Sequence, residues 1–158
     1  MDYKEYNKYR FTRAINNIRA ISNFSLKGKK WLDIGCHNGY FLSLLCGYGL
    51  HVSGIDVFDP KLKAGGSWEY FQCNLNTERI PISDCTFDIV SALEVIEHII
   101  DTDNFLEEVF RVLKPGGLFI LSTPNICMLK NRFRVFFGKY PYGMEYKNII
   151  HHVRIYSL

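Results

Sequence analysis

The sequence lacks any uninterrupted apolar run near the roughly 18 residues that a membrane-spanning helix needs. Its first residues, Met1-Asp2-Tyr3-Lys4-Glu5-Tyr6, are too polar for a secretory signal peptide, so the expectation is a soluble, cytoplasmic protein. Cysteine is sparse and odd in number: Cys36, Cys46, Cys73, Cys85 and Cys127 stand without a C-x-x-C pair. That supports neither a disulfide framework nor a zinc site, and it predicts reduced, mostly structural thiols. There is no dense basic run and no recognisable nucleic-acid module, so nucleic acid is not expected as a partner. Internal repeats and low-complexity tracts are missing too.

What is present is apolar material: 47% of 158 residues is hydrophobic and 15% aromatic, enough for the core of one domain, residues 1–158. Charge is unevenly placed. Residues 1–30 hold eight Lys/Arg against two acids, residues 31–125 five against thirteen, and residues 126–158 six against one. Basic ends therefore flank an acidic middle. The plain reading is solvated surface charge; the sharper one is a cationic rim for an anionic substrate or a membrane surface.

Periodicity alternates along the chain. Residues 3–24 read as a helix with Tyr6, Tyr9, Ile15, Ile18 and Ile21 on its apolar face. Residues 1–30 then form an N-terminal, lid-like segment placed to cover the sheet or the site, ahead of a core at 31–125 and a C-terminal segment at 126–158. Trp31-Leu32-Asp33-Ile34-Gly35-Cys36-His37-Asn38-Gly39 reads as a strand ending in an acid and a glycine turn, with a helix of about ten residues beginning at Tyr40. Glycine permits positive φ and close approach of a ligand, and the following helix N-terminus offers free N–H groups. A second strand, His51-Val52-Ser53-Gly54-Ile55-Asp56, ends in another acid, where a carboxylate can accept from both hydroxyls of a ribose. Further strands are expected at residues 70–73, 87–92 and 118–122, and a helix at 102–113 stopped by Lys114-Pro115-Gly116-Gly117. The fifth strand is continuously apolar, which predicts burial on both faces. Strands alternating with helices argue for a parallel α/β sheet, doubly wound and Rossmann-like.

The ordered set Leu32-Asp33-Ile34-Gly35-Cys36-x-x-Gly39, Gly54-Ile55-Asp56, Cys73-Asn74-Leu75-Asn76, Phe87-Asp88-Ile89-Val90, Leu93-Glu94-Val95-Ile96-Glu97-His98-Ile99 and Leu113-Lys114-Pro115-Gly116-Gly117 resembles the class I S-adenosylmethionine-dependent methyltransferases, in their small-molecule methylase branch. The resemblance implies strand order 3-2-1-4-5 with the cofactor, S-adenosylmethionine, over the carboxyl ends of the strands. It implies Asp33 near the methionine ammonium and Gly35, Cys36, His37 and Gly39 in the loop around the methionine portion. Asp56, followed by Val57, would take the ribose; Asn74 and Leu75 fall where the family contacts adenine; Leu93 and Glu94 would line the cofactor and substrate cleft. The acceptor would be a small or lipid-linked molecule, with an anionic one suited to the basic ends.

Two departures matter. His37 replaces the middle glycine of the family loop, a position histidine can occupy in left-handed backbone with its ring toward solvent. Residues 126–158 are too few for the helix and antiparallel strand pair that follow strand five in the family, so the C-terminal strands are expected to be missing; the resemblance makes 126–158 the substrate-side segment. An uncovered edge there predicts self-association unless residues 126–158 fold back over it. His98, His151 and His152 are candidate general bases, needed only if the acceptor loses a proton. Two other functions stay open at this stage: an NAD-type oxidoreductase, and a truncated or inactive cofactor-binding module.

Overall fold

A computed structural model describes residues 3–21, 25–59 and 67–141 with Val153 and Tyr156, side chains being described from residue 8 onward. Five parallel strands form the sheet: β1 (Lys30–Ile34), β2 (His51–Asp56), β3 (Trp68–Gln72), β4 (Phe87–Leu93) and β5 (Leu113–Ser122). Their order is β3-β2-β1-β4-β5, as the sequence predicts. Helix α1 (Tyr3–Ala20) precedes β1, α2 (Tyr40–Cys46) follows it, α3 (Thr102–Val112) precedes β5, and α4 (Leu129–Phe136) comes last.

The period-two alternation of β1 sorts the core into two layers. Leu32 and Ile34 join Ile55, Val90 and Ala92 against Phe105, Val109 and Val112 of α3. Trp31 points the other way and packs with Val52 and Ile89 against Ala14, Ile15 and Ile18 of α1 and Phe41, Leu42 and Leu45 of α2. Asp33 shares the face of Trp31, so the acid that ends β1 lies on the side covered by α1 and α2. Gly54 allows this packing to be close, since a Cβ there would lie 2.6 Å from Leu42 Cδ1 and 2.8 Å from Cys36 Sγ.

At the opposite, amino end of the strands, Asp88 accepts from Lys30 N (2.9 Å) and pairs with Lys29 (3.2 Å) and Lys114 (3.0 Å). Against the burial that would raise it, these partners hold its carboxyl at about 2. One side chain thereby ties the starts of β1, β4 and β5.

Several boundaries differ from expectation. Helix α2 has seven residues because Gly47 caps it, and α1 is assigned to Ala20, residues 22–24 lying outside the described set. The buried face of α1 is Ala14, Ile15 and Ile18; Tyr9 and Ile21 are exposed. The Lys114-Pro115-Gly116-Gly117 stretch is not a separate stop: β5 begins at Leu113, pairs with Phe87, and irregularly resumes pairing at Leu118 opposite Ile89. β5 is also half wet. It is an edge strand, with residues 118–120 half-buried and Leu121 exposed, so its continuous apolar run reflects one covered face and one uncovered edge. Among the described residues no strand pairs its outer edge; a bridge joins Asn125 to Tyr156 beyond it.

Candidate functional site

The carboxyl ends of β1, β2 and β4 converge on the turn at residues 35–39. Gly35 and Cys36 both donate to Ile55 O (2.8 and 3.1 Å), which pins the turn to β2. Gly35 (φ 73°), His37 (φ 48°) and Gly39 (φ 73°) all adopt left-handed backbone. Such a turn is cheap at glycine and tolerable at histidine. A Cβ at Gly35 would stand 2.5 Å from Val95 Cγ2, so this position also needs its glycine for space. The ring of His37 is exposed, while its N–H donates to Asp56 Oδ2 at 2.7 Å.

Asp56 is therefore built into the turn. Its other oxygen accepts from Phe58 N (3.2 Å), and its carbonyl accepts from Cys73 N (3.0 Å) and from the Tyr70 hydroxyl (3.0 Å). Burial, with the nearby negative charge of Asp56, pushes the Tyr70 phenol up to about 12, so it remains a neutral donor. The bond from Cys73 N brings Asn74 alongside. Asn74 Oδ1 accepts from Asn76 N (3.1 Å), and Asn76 in turn accepts from Ile100 N (2.8 Å) and donates through Nδ2 to His98 O (3.3 Å). Leu75 packs against the α3-side core. Val57 is exposed beside Asp56.

Asp33 is the buried acid of the site, 4% exposed. Trp31 Nε1 donates to Ser91 Oγ (2.8 Å), and the Ser91 hydroxyl donates to Asp33 Oδ1 (2.6 Å). Parallel pairing places Asp33 opposite Ser91, which is what closes this relay. Burial pushes the Asp33 carboxyl up to about 7; the Ser91 hydrogen bond and the Arg10 guanidinium oppose that, and Asp56 adds to it. Arg10 comes from α1 and lies 3.9 Å from Glu94 Oε1 and over the Phe11 ring at 5.1 Å. Glu94, at φ 61° just past β4, also accepts from the Ser122 hydroxyl (2.9 Å).

The structure thus brings together Asp33, Gly35, His37, Gly39, Asp56, Val57, Asn74 and Glu94. Cys36 sits among them but its thiol turns inward, buried with Phe41 and Leu42, and its N–H is spent on Ile55; burial pushes the thiol far up, so it is inert packing. Leu93 is buried in the same layer. His98 is half-buried in the 3-10 turn Ile96–His98, tied to the β3 end through Asn76. His151 and His152 lie outside the described residues. Arg10 and Ser91 were not foreseen. The signal for Arg10 was its place four and eight residues before the buried Ala14 and Ile18, on the stripe that faces the sheet.

A five-stranded parallel sheet in this order matches Rossmann-like methyltransferase folds. The methyltransferase domain family matches residues 6–158. The chain belongs to the class I S-adenosylmethionine-dependent methyltransferases. It is 37% identical to a probable S-adenosylmethionine-dependent methyltransferase of Mycolicibacterium smegmatis, over 62% of this chain and 39% of that one. It is 35% identical to the mitochondrial ubiquinone biosynthesis O-methyltransferase of Homo sapiens, over 78% of this chain and 37% of that one. Among solved structures, YcgJ of Bacillus subtilis aligns with TM-score 0.62 at 21% identity, covering 75% of this chain and 51% of the other. This methyltransferase chain thus spans less than half the length of the curated relatives named.

The family's cofactor is S-adenosylmethionine, and the donor set here fits it. A sulfonium and an ammonium call for carboxylates, a ribose for a bidentate acceptor, and a carboxylate for a cation; Asp33, Asp56 and Arg10 supply one of each.

Proposed function

We propose that this chain binds S-adenosylmethionine and catalyses transfer of its methyl group to a small-molecule acceptor. The observation that carries the reading is the pair of acids at the ends of β1 and β2, held on either side of one left-handed turn by named hydrogen bonds. When bound, the cofactor supplies an electrophilic methyl on a positively charged sulfur. Asp33 and Arg10 hold the amino-acid end, Asp56 the ribose, and Asn74 with Leu75 the adenine. Methyl transfer asks the protein chiefly for alignment of two reactants, which a preorganised site provides. Where the acceptor must lose a proton, His98 is the proposed base. Lid-like α1, carrying Arg10, closes the site in a single domain of residues 1–158.

Two finer readings follow. A lipid-linked or anionic acceptor is favoured by the basic segment after β5. A reducing compartment such as the cytoplasm agrees with five cysteines that are all free. No helix among the described residues is long and apolar enough to cross a membrane.

Calorimetric titration with S-adenosylhomocysteine tests the reading. The expected result is saturable binding, weakened by Asp56→Ala by roughly 1.5–3 kcal/mol, the contribution of hydrogen bonds to a charged acceptor. NAD bound in its place, or unchanged affinity in a folded Asp56→Ala chain, would overturn it.

A further inference from the structure

Helix α4 is turned inside out. Its one buried side chain is a polar residue, Asn131 at 2% exposed, while Leu129, Phe133, Phe136 and Phe137 face solvent. These four stand at i, i+4, i+7 and i+8, one stripe of the helical surface, with Phe136 82% exposed. Phe136 and Phe137 contact edge to face at 5.3 Å, so the stripe ends in a paired aromatic knob. Soluble helices bury such a stripe and wet the opposite side.

The charges say what the stripe is for. By helical spacing, Lys130 falls on one flank of it and Arg132 on the other, with Arg134 and Lys139 continuing the cationic border. Residues 126–141 contain four Lys/Arg and no Asp or Glu. Arg132 Nε donates to Cys127 O (2.9 Å) and Arg134 Nε to Tyr140 O (2.7 Å), which fixes both stems along the helix flanks. An apolar aromatic stripe between two rows of cations matches the cross-section of a bilayer surface, where rings enter the acyl boundary and cations meet lipid phosphates. A second copy in a two-fold contact would bring the same net positive border against itself, and like charges oppose that.

We infer that α4 and the turn after it form a peripheral docking site for an anionic lipid surface. The site is independent of cofactor binding, since none of its residues is placed at the Asp33–Asp56 turn. Its position has a consequence for access: α4 starts seven residues after Ser122, which bonds Glu94 at the carboxyl end of the sheet. Docking therefore sets that end of the sheet near the bilayer, where a poorly soluble acceptor is concentrated.

The test is flotation of the 158-residue chain with vesicles of phosphatidylcholine alone or with 30 mol% phosphatidylglycerol, a composition chosen for its charge. Binding to the anionic vesicles is expected, at least tenfold above neutral ones and lost in 0.5 M salt. The double variant Phe133→Ser/Phe136→Ser should reduce it tenfold or more, and Lys130→Glu/Arg132→Glu should abolish it. All four side chains are exposed, so thermal midpoints should hold and report that folding is intact. Equal binding to neutral vesicles, or full binding by the Phe133→Ser/Phe136→Ser chain, would overturn the inference. So would a dimer of the parent chain that the same double variant dissociates while no vesicle binds, which would make the stripe a contact between copies.

Discussion

Cofactor affinity should depend on pH through Asp33, and Ser91 should set where. The free site holds this carboxyl at about 7, because burial favours the neutral acid more than Ser91 and Arg10 favour the anion. Only the anion attracts an ammonium or sulfonium. Apparent affinity for S-adenosylhomocysteine is then the intrinsic affinity multiplied by the ionised fraction: near its plateau at pH 8, halved at pH 7 and about tenfold weaker at pH 6. Binding below pH 7 must also expel a proton, which calorimetry reads as a dependence of the heat on the buffer's ionisation enthalpy.

The Ser91 hydroxyl donates to the anion at 2.6 Å, and the Trp31 N–H behind it aligns that donor. A hydrogen bond to a charged acceptor contributes about 1.5–3 kcal/mol, and 1.36 kcal/mol corresponds to one pH unit of midpoint. Ser91→Ala should therefore move the midpoint from about 7 to roughly 8–9 and weaken binding at pH 7.5 roughly three- to thirtyfold. Asp33→Asn should flatten the profile altogether. A parent chain with no pH dependence between 5.5 and 8.5, or a Ser91→Ala chain with an unmoved midpoint, would refute the reasoning.

The same raised carboxyl acts on stability with a definite sign. Between the unfolded value of 3.8 and about 7 the folded chain binds the extra proton, so stability falls as pH rises through this window. Above pH 7 the buried anion costs on the order of 4 kcal/mol, and Asp33→Asn should raise the apo midpoint in thermal scans at pH 8 but not at pH 4. Gly35→Ala should lower stability by roughly 2–4 kcal/mol in urea titration, since it combines positive φ with a 2.5 Å contact to Val95 Cγ2. His37→Gly should leave S-adenosylhomocysteine affinity within about twofold, because the bond to Asp56 comes from the backbone; a loss above tenfold would place the ring on the ligand. Arg10→Ala should weaken binding roughly tenfold or more, and it should raise the Asp33 midpoint through loss of a stabilising cation.

Much of the sheet was legible because each of its signals is local. An apolar run ending in an acid, a glycine turn and a helical period together locate β1, β2 and their crossovers, and Asp33 and Asp56 fall at strand ends by that alone. What was not legible depends on register and on sheet position. Ser91 reaches Asp33 only because β4 pairs with β1 in one of two facings, and nothing in the sequence of β4 fixes which. Two residues of the expected α1 face, Tyr9 and Ile21, are core by type but exposed: Tyr9 lies off the stripe that meets Trp31 and Phe41, and Ile21 follows the last helical residue, Ala20. Burial of β5 was overstated for a related reason: a run of Leu118-Phe119-Ile120-Leu121 looks the same at the edge of a sheet as at its centre.

The basic ends of the chain, alike in composition, divide into different uses once folded. At the amino end, Arg10 is drawn in over the sheet toward Asp33 and Glu94, where the acidic middle of the chain converges. Burial, with the smaller push of Asp56, raises the Asp33 carboxyl, and the Arg10 guanidinium opposes that rise. At the carboxyl end, residues 126–141 hold four Lys/Arg and no Asp or Glu in sequence. These cations border an aromatic stripe that faces away from the core, the surface proposed above to dock on an anionic lipid boundary. The site for a charged cofactor and the surface for a charged boundary are therefore built from opposite halves of one charge pattern, with β5 and the Glu94–Ser122 bond as the physical link between them.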